Sequence, residues 1–326
     1  MKHKILKISS SLFNLFFKNS FKDKIWMILN NHLIFLSKYY QTWYNLHGRY
    51  TFINRSKNRK RLLIIVAGYK KYLWPPVFKR ISQFVGKDID VCIISPGLTN
   101  IKLKQIAKKN NWSYLSTHEN KLGLAQNLAI KHHPQAELIY KLDEDIFITK
   151  NYFINLEKTL FKIKKEGIYT PGFIAPVINV NGFSYIYFLK KIGKDKEYLK
   201  KFGELKSACM GIKAHFSPEA AIFLWKHSLP LNKIACVFSN NSSYLLIPHR
   251  FSIGAILLER SLWEKMGYFK VASNGKLGFE EKNLCEFCCL NSFPGFIATN
   301  TFVGHFAFRP QNEKIKKYYA NNKEQF

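Results

Sequence analysis

Residues 139–148 have the sequence IYKLDEDIFI, in which three consecutive carboxylates separate two apolar runs. β-Branched and aromatic residues that run into charged residues are typical of a buried strand at the point where it leaves its sheet. In an open α/β sheet, ligands bind outside the carboxyl ends of the strands. Asp143, Glu144 and Asp145 repel one another unless a cation lies among them, and Mg²⁺ or Mn²⁺ prefers such oxygen ligands. The stretch therefore indicates a metal site at a strand end, although an isolated D-E-D also fits a solvated acidic turn.

The segments before this stretch alternate between strand patterns and helix patterns. Residues 62–68 form an apolar run that ends in glycine. Residues 90–95 (DVCIIS) form a second, mostly apolar run. Residues 120–130 have the pattern of a helix that leads directly into the D-E-D stretch. Strands that alternate with helices through short connections predict an α/β fold, with a doubly wound, mostly parallel sheet flanked by helices.

The composition is that of a folded, strongly basic chain. Hydrophobic residues make up 47% of the 326 residues, which excludes a disordered protein. The chain has 51 Lys and Arg residues against 21 Asp and Glu residues, and its formal net charge is +30. Such an excess implies an anionic partner, which is a nucleic acid, a phosphate-bearing substrate or an acidic membrane surface.

Residues 1–60 differ in character from the rest of the chain. They contain twelve Lys and Arg residues and a single acid, Asp23. Large apolar residues recur there at helical spacing, which predicts an amphipathic helical extension: Phe13, Phe17, Phe21, Ile25 and Ile28. One interpretation is a helix that lies in the headgroup region of an anionic membrane, and the other is a helix packed on the main domain.

The cysteine pattern and the absence of targeting signals bear on localisation. The six cysteines do not form a paired C-x-x-C zinc pattern, so we expect free thiols in a reducing compartment. No apolar segment reaches the ~18 residues that a membrane-spanning helix needs, and no cleavage site follows the basic start. We therefore expect a cytoplasmic protein, with residues 1–60 as a candidate contact with the inner face of the cell membrane.

A second informative block follows much later in the chain. Residues 249–258 (HRFSIGAILL) lead through residues 263–269 (WEKMGYF) to an acidic pair at residues 280–281, and residues 302–309 (FVGHFAFR) contain a lone histidine. Together with the D-E-D strand, this order resembles the GT-A nucleotide-sugar glycosyltransferases, especially those of the family-2 type. The resemblance extends over residues 62–310 and is most specific from the small-residue strand to the acidic helix.

The resemblance implies a domain organisation and a set of ligands. A glycosyltransferase domain at residues 61–312 would follow the extension, with a nucleotide-binding half at 61–150 and an acceptor half at 151–312. Residues 313–326 would form a polar tail. The implied ligands are a nucleotide-sugar donor, a glycan or lipid-linked acceptor in surface polysaccharide or glycolipid synthesis, and Mn²⁺ or Mg²⁺ as cofactor.

The resemblance also assigns roles to individual residues. Asp143 and Asp145 of the D-x-D motif would hold the metal and the ribose–diphosphate end of the donor, and His305 would complete the metal site. Glu281 would be the general base, with Glu280 as a competing candidate. Further donor contacts would come from Ala67, Gly68, Tyr69, Gly123, Asn127 and Arg309, and the acceptor or sugar pocket would include Ser252 and Gly254.

These residue types suit the implied chemistry. A metal neutralises the charge that develops on a departing nucleoside diphosphate. A carboxylate must take the proton of the acceptor hydroxyl on the face opposite the leaving group, which predicts inversion at the anomeric carbon. The chain departs from the family pattern at three places: residues 95–97 (SPG) where acidic residues are usual, Gln126 in place of arginine, and Glu280–Glu281 in place of Glu-Asp.

Two other function classes fit part of the sequence. A metal-dependent nucleotidyltransferase would share the nucleotide-binding half and the D-E-D stretch, but it does not require the block at residues 252–281. A basic nucleic-acid-binding protein fits the charge, yet the chain has no zinc-finger spacing, no RRM signature and no basic helix with heptads. We therefore expect a glycosyltransferase that has no nucleic-acid partner.

Overall fold

The chain divides into two compact units, Met1–His47 and Gly48–Phe326. The described part of the first unit is helix α1 (Asn19–Leu46). Several large apolar and aromatic side chains of this helix are exposed, among them Phe35 (69%), Leu36 (59%) and Tyr39 (68%). Among the described residues, none of the helices is long and apolar enough to cross a membrane. The computed structural model describes residues 19–209, 211–239, 243–272, 278–306 and 312–326.

Within the described residues, ten strands of the second unit form one sheet in the order β1-β4-β3-β2-β5-β9-β7-β10-β6, and β8 pairs with β10. The strands are β1 (Tyr50–Ile53), β2 (Arg61–Val66), β3 (Ile89–Ser95), β4 (Ser113–Thr117), β5 (Leu138–Asp143), β6 (Ile146–Phe147), β7 (Phe173–Ile178), β8 (Tyr244–Leu246), β9 (Ala255–Glu259) and β10 (Gly295–His305).

Helices of the second unit connect these strands. They are α2 (Trp74–Phe84), α3 (Ile101–Lys109), α4 (Leu122–Lys131), α5 (Tyr152–Glu166), α6 (Ser184–Lys191), α7 (Asp195–Phe202), α8 (Lys213–Phe216), α9 (Pro218–Lys226), α10 (Leu231–Phe238), α11 (Arg260–Lys265), α12 (Phe279–Leu290) and α13 (Asn312–Asn321). The predicted α/β class, a mostly parallel sheet flanked by helices, is confirmed.

The strand order places a reversal between β2 and β5. Strands β4, β3, β2 and β5 are parallel to one another, and the chain moves outward from β2 to β4 before it returns to β5 on the other side of β2. Strand β9 is antiparallel to both β5 and β7, which makes the whole sheet mixed. In open α/β sheets, ligands bind outside the carboxyl ends of the strands at such a reversal. The fold therefore directs attention to the residues that follow β2 and β5.

The central strands are buried because helices cover both faces of the sheet. Leu62 to Ile65 on β2 are fully buried, and so are Tyr140 and Leu142 on β5. Their continuous apolar runs, read from the sequence as buried strands, are what a parallel sheet covered on both faces requires. Burial of these side chains fixes the register Leu63↔Tyr140 and Val66↔Asp143, so the two strand ends lie side by side.

The main unit begins earlier than the predicted boundary near residue 60. Strand β1, which was predicted to lie in the basic extension, pairs antiparallel with β4, with Tyr50 opposite Thr117 and Ile53 opposite Tyr114. Its residues are β-branched or aromatic, the types that suit an edge strand. The boundary between the two units lies instead between His47 and Gly48.

The loop after β1 is held by the buried carboxylate of Asp90. That carboxylate accepts hydrogen bonds from the Ser56 hydroxyl and from the backbone N–H groups of Lys57 and Arg59. Burial alone would raise the pKa of Asp90, but these hydrogen bonds outweigh it and hold the pKa below its usual range.

Residues 313–326, predicted as a polar tail, are mostly helical. Helix α13 covers most of that segment, and its Ile315 and Tyr319 are 1% and 6% exposed. The ring centroid of Tyr319 lies 5.8 Å from that of Phe306, just after β10. The few apolar residues of the segment lie on one side of the helix, and burial of that side outweighs the polar composition.

Candidate active site

The first group of the site is a carboxylate that organises the loop after β2. Glu144 accepts hydrogen bonds from the backbone N–H groups of Gly68 (2.9 Å), Tyr69 (2.8 Å) and Lys70 (2.9 Å), and from the indole N–H of Trp74. Glu144 is 4% exposed, so it shapes the loop and does not face solvent. Sequence reasoning concentrated on the two outer acids and missed this role, because nothing in the D-E-D pattern distinguishes the middle residue.

Asp145, the next residue, is enclosed by a lysine and a histidine. Nζ of Lys70 lies 2.6 Å from Oδ2 of Asp145 and also donates to the carbonyl oxygen of Phe306. Nε2 of His305 lies 3.6 Å from the same Oδ2 atom, and Nδ1 of His305 lies 3.0 Å from the carbonyl oxygen of Val180. The side chains of Lys70 and Asp145 are 3% and 1% exposed.

Local strand pairing explains why His305 reaches Asp145 from so far along the chain. The short strand β6 pairs antiparallel with β10, with Ile146 opposite His305. The backbone N–H of Phe306 then donates to the carbonyl oxygen of Asp145 at 3.0 Å. The structure thus brings together the D-x-D aspartate and the late histidine that the sequence had singled out.

Asp143 lies at the end of β5 and is more open to solvent. Nζ of Lys141 lies 2.6 Å from Oδ1 of Asp143, whose side chain is 31% exposed. The same ammonium group donates to the carbonyl oxygen of Ile253 at 2.8 Å. A Cβ atom added to Gly254 would lie 3.3 Å from Oδ2 of Asp143. Gly254, predicted to line a sugar pocket, therefore lies directly against this carboxylate, and Ser252 is half-buried in the same loop.

The two aspartates have opposite pKa shifts. Desolvation by burial raises the pKa of Asp143, and the neighbouring charge of Asp145 adds to this effect against the opposing charge of Lys141. Burial alone would also raise the pKa of Asp145, but the charges of Lys70 and His305 outweigh it and lower that pKa. Asp145 is thus the firmly ionised member of the pair.

The residues present do not fit a divalent cation as the sequence predicted. Among the described residues, no group of three or more His, Cys, Asp and Glu side chains is arranged to hold a metal ion. One oxygen of each aspartate is already paired with an ammonium group. Oδ1 of Asp145 has no hydrogen-bond partner among the described residues, but it is sealed from solvent. Mg²⁺ and Mn²⁺ usually keep water and substrate oxygens as ligands, which a sealed oxygen cannot share.

The acidic pair of α12 divides into two different environments. Glu281 is paired with Arg250, whose Nη2 lies 2.7 Å from Oε1 of Glu281. Glu280 is 5% exposed, and burial raises its pKa, with Lys141 and Asp143 close enough to act on it by their charges. The geometry therefore favours Glu280, the second choice of the sequence, as the carboxylate free to accept a proton near Asp143.

Gly123 and Asn127, predicted to contact the donor nucleotide, have packing roles in the structure. A Cβ atom on Gly123 would lie 2.8 Å from the carbonyl oxygen of Lys270, so only glycine allows that approach. Asn127 is fully buried, accepts from the indole N–H of Trp263 (2.9 Å) and the backbone N–H of Phe269 (3.0 Å), and donates to the Phe269 carbonyl. Gly123 and Asn127 thus pack helix α4 against α11 and the segment after it. Neither residue lines an open crevice.

The other predicted donor contacts differ in accessibility. Ala67 is 2% exposed and Gly68 is buried, whereas the side chain of Tyr69 is 55% exposed. Tyr69 therefore presents a largely exposed aromatic ring after β2, at the reversal between β2 and β5. Arg309 lies outside the described residues.

A cavity of about 730 Å³ is lined in part by Arg250, the residue that pairs with Glu281. Its lining is largely apolar and includes Tyr169, Phe173, Ile247, Cys285 and Cys288. Its polar groups include His249, Arg250, Lys282 and the carboxylate of Glu286. The acidic helix α12 therefore forms one wall of the cavity, with Lys282, Cys285 and Cys288 on it. Sequence analysis gave no signal for it, because its walls come from four separate segments.

No protein-family model matches the chain, and no curated protein matches its sequence. The chain is similar to the solved structure of mannosyltransferase PcManGT from Pyrobaculum calidifontis in complex with GDP-Man and Mn²⁺. The identity is 11%, the match covers 89% of this chain and 71% of that chain, and the TM-score is 0.46.

Two further solved structures are similar over smaller shares of their length. One is TarS from S. aureus in complex with UDP-GlcNAc, at 10% identity over 77% of this chain and 60% of that chain, with a TM-score of 0.41. The other is a cytidylyltransferase from Leptospira borgpetersenii, at 17% identity over 36% and 54%, with a TM-score of 0.27.

Proposed function

We propose that this protein is an enzyme that transfers a sugar from a nucleotide-sugar donor to an acceptor hydroxyl group. The observations that carry the proposal are the partly exposed Asp143 at the reversal in strand order and the buried Glu280, which is close enough for the charge of Asp143 to raise its pKa further. Asp143 is a partly exposed carboxylate in the position where an α/β sheet binds nucleotides, and Glu280 is a buried carboxylate with a raised pKa beside it. A glycosyl transfer needs such a donor site and such a base in the same crevice.

The donor nucleotide would lie along the loop after β2. Glu144 fixes that loop through three backbone N–H groups, so Tyr69 is displayed from a rigid support. An exposed tyrosine ring can stack on a nucleobase, and stacking tolerates different bases. This arrangement supplies an aromatic contact in a chain whose second strand lacks the usual acidic residues.

Glu280 would act on the acceptor. Its raised pKa makes it a better proton acceptor than an ordinary glutamate, because the Brønsted relationship favours a base whose pKa is nearer to neutrality. As the acceptor oxygen bonds to the anomeric carbon, its proton passes to Glu280 and the bond from that carbon to the diphosphate oxygen breaks. Attack opposite the leaving group gives inversion at the anomeric carbon.

The cavity beside Arg250 supports a lipid-linked acceptor in preference to a free glycan. A volume of about 730 Å³ with mostly apolar walls suits a hydrocarbon chain, and Arg250 and Lys282 would bind an attached phosphate group in competition with Glu281 and Glu286. Exposed Phe35, Leu36 and Tyr39 on α1 also suit peripheral attachment to a membrane surface. We therefore propose a role in the synthesis of a surface polysaccharide or glycolipid at the inner face of the membrane.

The test is release of nucleoside diphosphate from a panel of nucleotide sugars, measured for the full chain and for Asp143→Asn. The matched control is Asp88→Asn, because Asp88 is 61% exposed and precedes β3 at the opposite end of the sheet. We expect slow hydrolysis of one donor that is lost in Asp143→Asn and kept in the control. A flat panel would overturn the proposal, and release of pyrophosphate from a nucleoside triphosphate and a sugar phosphate would identify a nucleotidyltransferase instead.

A further inference from the structure

We infer that the donor site of this protein binds a nucleoside diphosphate without a divalent cation, because Lys70 and Lys141 already provide the positive charge at the two aspartates. This inference rests on the proposed function and concerns the same site. It replaces the Mn²⁺ or Mg²⁺ that the resemblance implied with two side chains of the chain itself.

Lys70 occupies the Oδ2 side of Asp145. A metal ion bound to this carboxylate would have to lie on that side, because Oδ1 is sealed from solvent. The Nζ atom of Lys70 lies 2.6 Å from Oδ2 and also donates to the Phe306 carbonyl, and the residue as a whole is 2% exposed. A cation bound at Oδ2 would lie within a few ångströms of this ammonium and would be repelled by it. Removal of Lys70 from the contact would leave its charge in a place that water does not reach, which is costly.

The buried ammonium group of Lys141 offsets the negative charge of Asp143 in the same way. Lys141 lies two residues before Asp143 on β5, so both side chains point to the same face of the strand. Its Nζ atom lies 2.6 Å from Oδ1 of Asp143 and 2.8 Å from the carbonyl oxygen of Ile253. The lysine side chain is 3% exposed, whereas Asp143 is 31% exposed. The ammonium is therefore held behind the carboxylate, and the carboxylate faces the crevice.

The charge balance of the cluster supports metal-free binding. Two carboxylates without counter-ions would repel a diphosphate, and a bridging metal would be required to hold them together. Here the charges of Asp143 and Asp145 are each offset by one lysine, so this repulsion is already cancelled. The cations are fixed in place before the donor binds, so binding does not require their reorganisation.

The first experiment is calorimetric titration of the full chain with UDP, GDP, CDP and dTDP, in EDTA and in Mn²⁺. We expect one of them to bind with an affinity that differs by less than about threefold between the two conditions. Binding that appears only with Mn²⁺ would overturn the inference and leave the proposed function intact. The absence of binding under both conditions would count against the proposed function and therefore also against this inference.

The second experiment asks whether Lys70 excludes the metal. We expect Mn²⁺ to leave the melting temperature of the wild type unchanged and to raise that of Lys70→Met, in which Asp145 has lost its counter-ion. Lys71→Met is the matched control, since Lys71 is exposed, and it should behave as the wild type. Stabilisation of the wild type by Mn²⁺ alone would contradict the inference. If Lys70→Met fails to fold, the titration of the wild type still decides.

Discussion

Arg250 and Glu281 form an ion pair in which Nη2 lies 2.7 Å from Oε1, and this pair separates the roles of two adjacent glutamates. Oε2 of Glu281 also accepts from the backbone N–H of Ile253 at 3.3 Å, so both of its oxygens are engaged. Glu280 is instead buried, and the charges of Lys141 and Asp143 act on its pKa. The structure therefore indicates different consequences for mutation of each residue.

Replacement of Glu280 with Gln should reduce kcat/KM by about 10²–10⁴-fold, because the amide cannot accept the proton of the acceptor hydroxyl. Glu281→Gln should reduce it by less than about tenfold, since only a half-exposed ion pair is weakened. Steady-state kinetics with the donor identified by the panel would measure both. A larger effect of Glu281→Gln than of Glu280→Gln would assign the base to Glu281.

The kcat/KM of the enzyme should rise with pH on the acidic side of its pH profile, as Glu280 loses its proton. A protonated Glu280 cannot act as a base, so activity is lost as pH falls through its pKa. Burial raises the pKa of Glu280, so the midpoint of this acidic limb should lie above the usual range of a glutamate. A pH profile of kcat/KM would measure it, and the limb should be missing from the residual activity of Glu280→Gln. A limb that persists unchanged in this variant would mean that another group is titrating.

Tyr69→Ala should weaken donor binding by about tenfold, which corresponds to the lower part of the range for stacking of an aromatic side chain on a base. Tyr69→Phe keeps the ring and should bind as the wild type does. The affinity for the nucleoside diphosphate, measured by calorimetry, distinguishes the two variants. Equal weakening in both would show that the hydroxyl group rather than the ring makes the contact.

Asn127→Ala should lower the free energy of unfolding by about 2–5 kcal/mol, because the buried N–H groups of Trp263 and Phe269 would lose their acceptor. Asn291→Ala is the matched control, since the exposed Asn291 donates only to a carbonyl of its own helix, and it should change the value by less than about 0.5 kcal/mol. Denaturant unfolding would measure both. Loss of donor affinity in a folded Asn127→Ala protein would restore the nucleotide contact that the sequence predicted.

Leu36→Glu combined with Tyr39→Glu should abolish binding of the full chain to vesicles that contain anionic lipids. These side chains are 59% and 68% exposed on α1, and charge on an apolar face opposes insertion among headgroups. Leu199→Glu, at an exposed leucine of α7, is the control and should bind as the wild type does. Sedimentation with vesicles would measure the effect. Binding that survives the double substitution would assign the basic charge of residues 1–60 to another partner.

The sequence predicted the central sheet well because its signals are local. Continuous apolar runs before Gly68 and Asp143 identify buried strands without knowledge of their neighbours, and the structure has strands at both places. The structure places Nε2 of His305 3.6 Å from Oδ2 of Asp145, whereas the metal-ligand role that the resemblance implied for His305 stays a prediction.

The parts that the sequence did not predict are those fixed by long-range pairing. Nothing near Lys70 in the sequence indicates that its ammonium will lie against Asp145, since 75 residues separate them. Asn127 and Gly123 matched a donor-binding pattern, yet contacts with residues 263–270 explain both. The surroundings of a polar side chain decide its role, and those surroundings are set only when distant segments have packed.

The position of β10 has a consequence for the order in which this protein matures during synthesis. His305 and the carbonyl of Phe306 close the cluster around Asp145 and Lys70, but they are made more than 150 residues after Asp145. A ribosome-bound chain that has completed β2 to β5 therefore contains the acids and both lysines without the strand that encloses them. Such late contacts are slow to form, and the exposed strand edge can associate with other chains in the meantime. A chain stalled before β10 should consequently depend on chaperones to stay soluble.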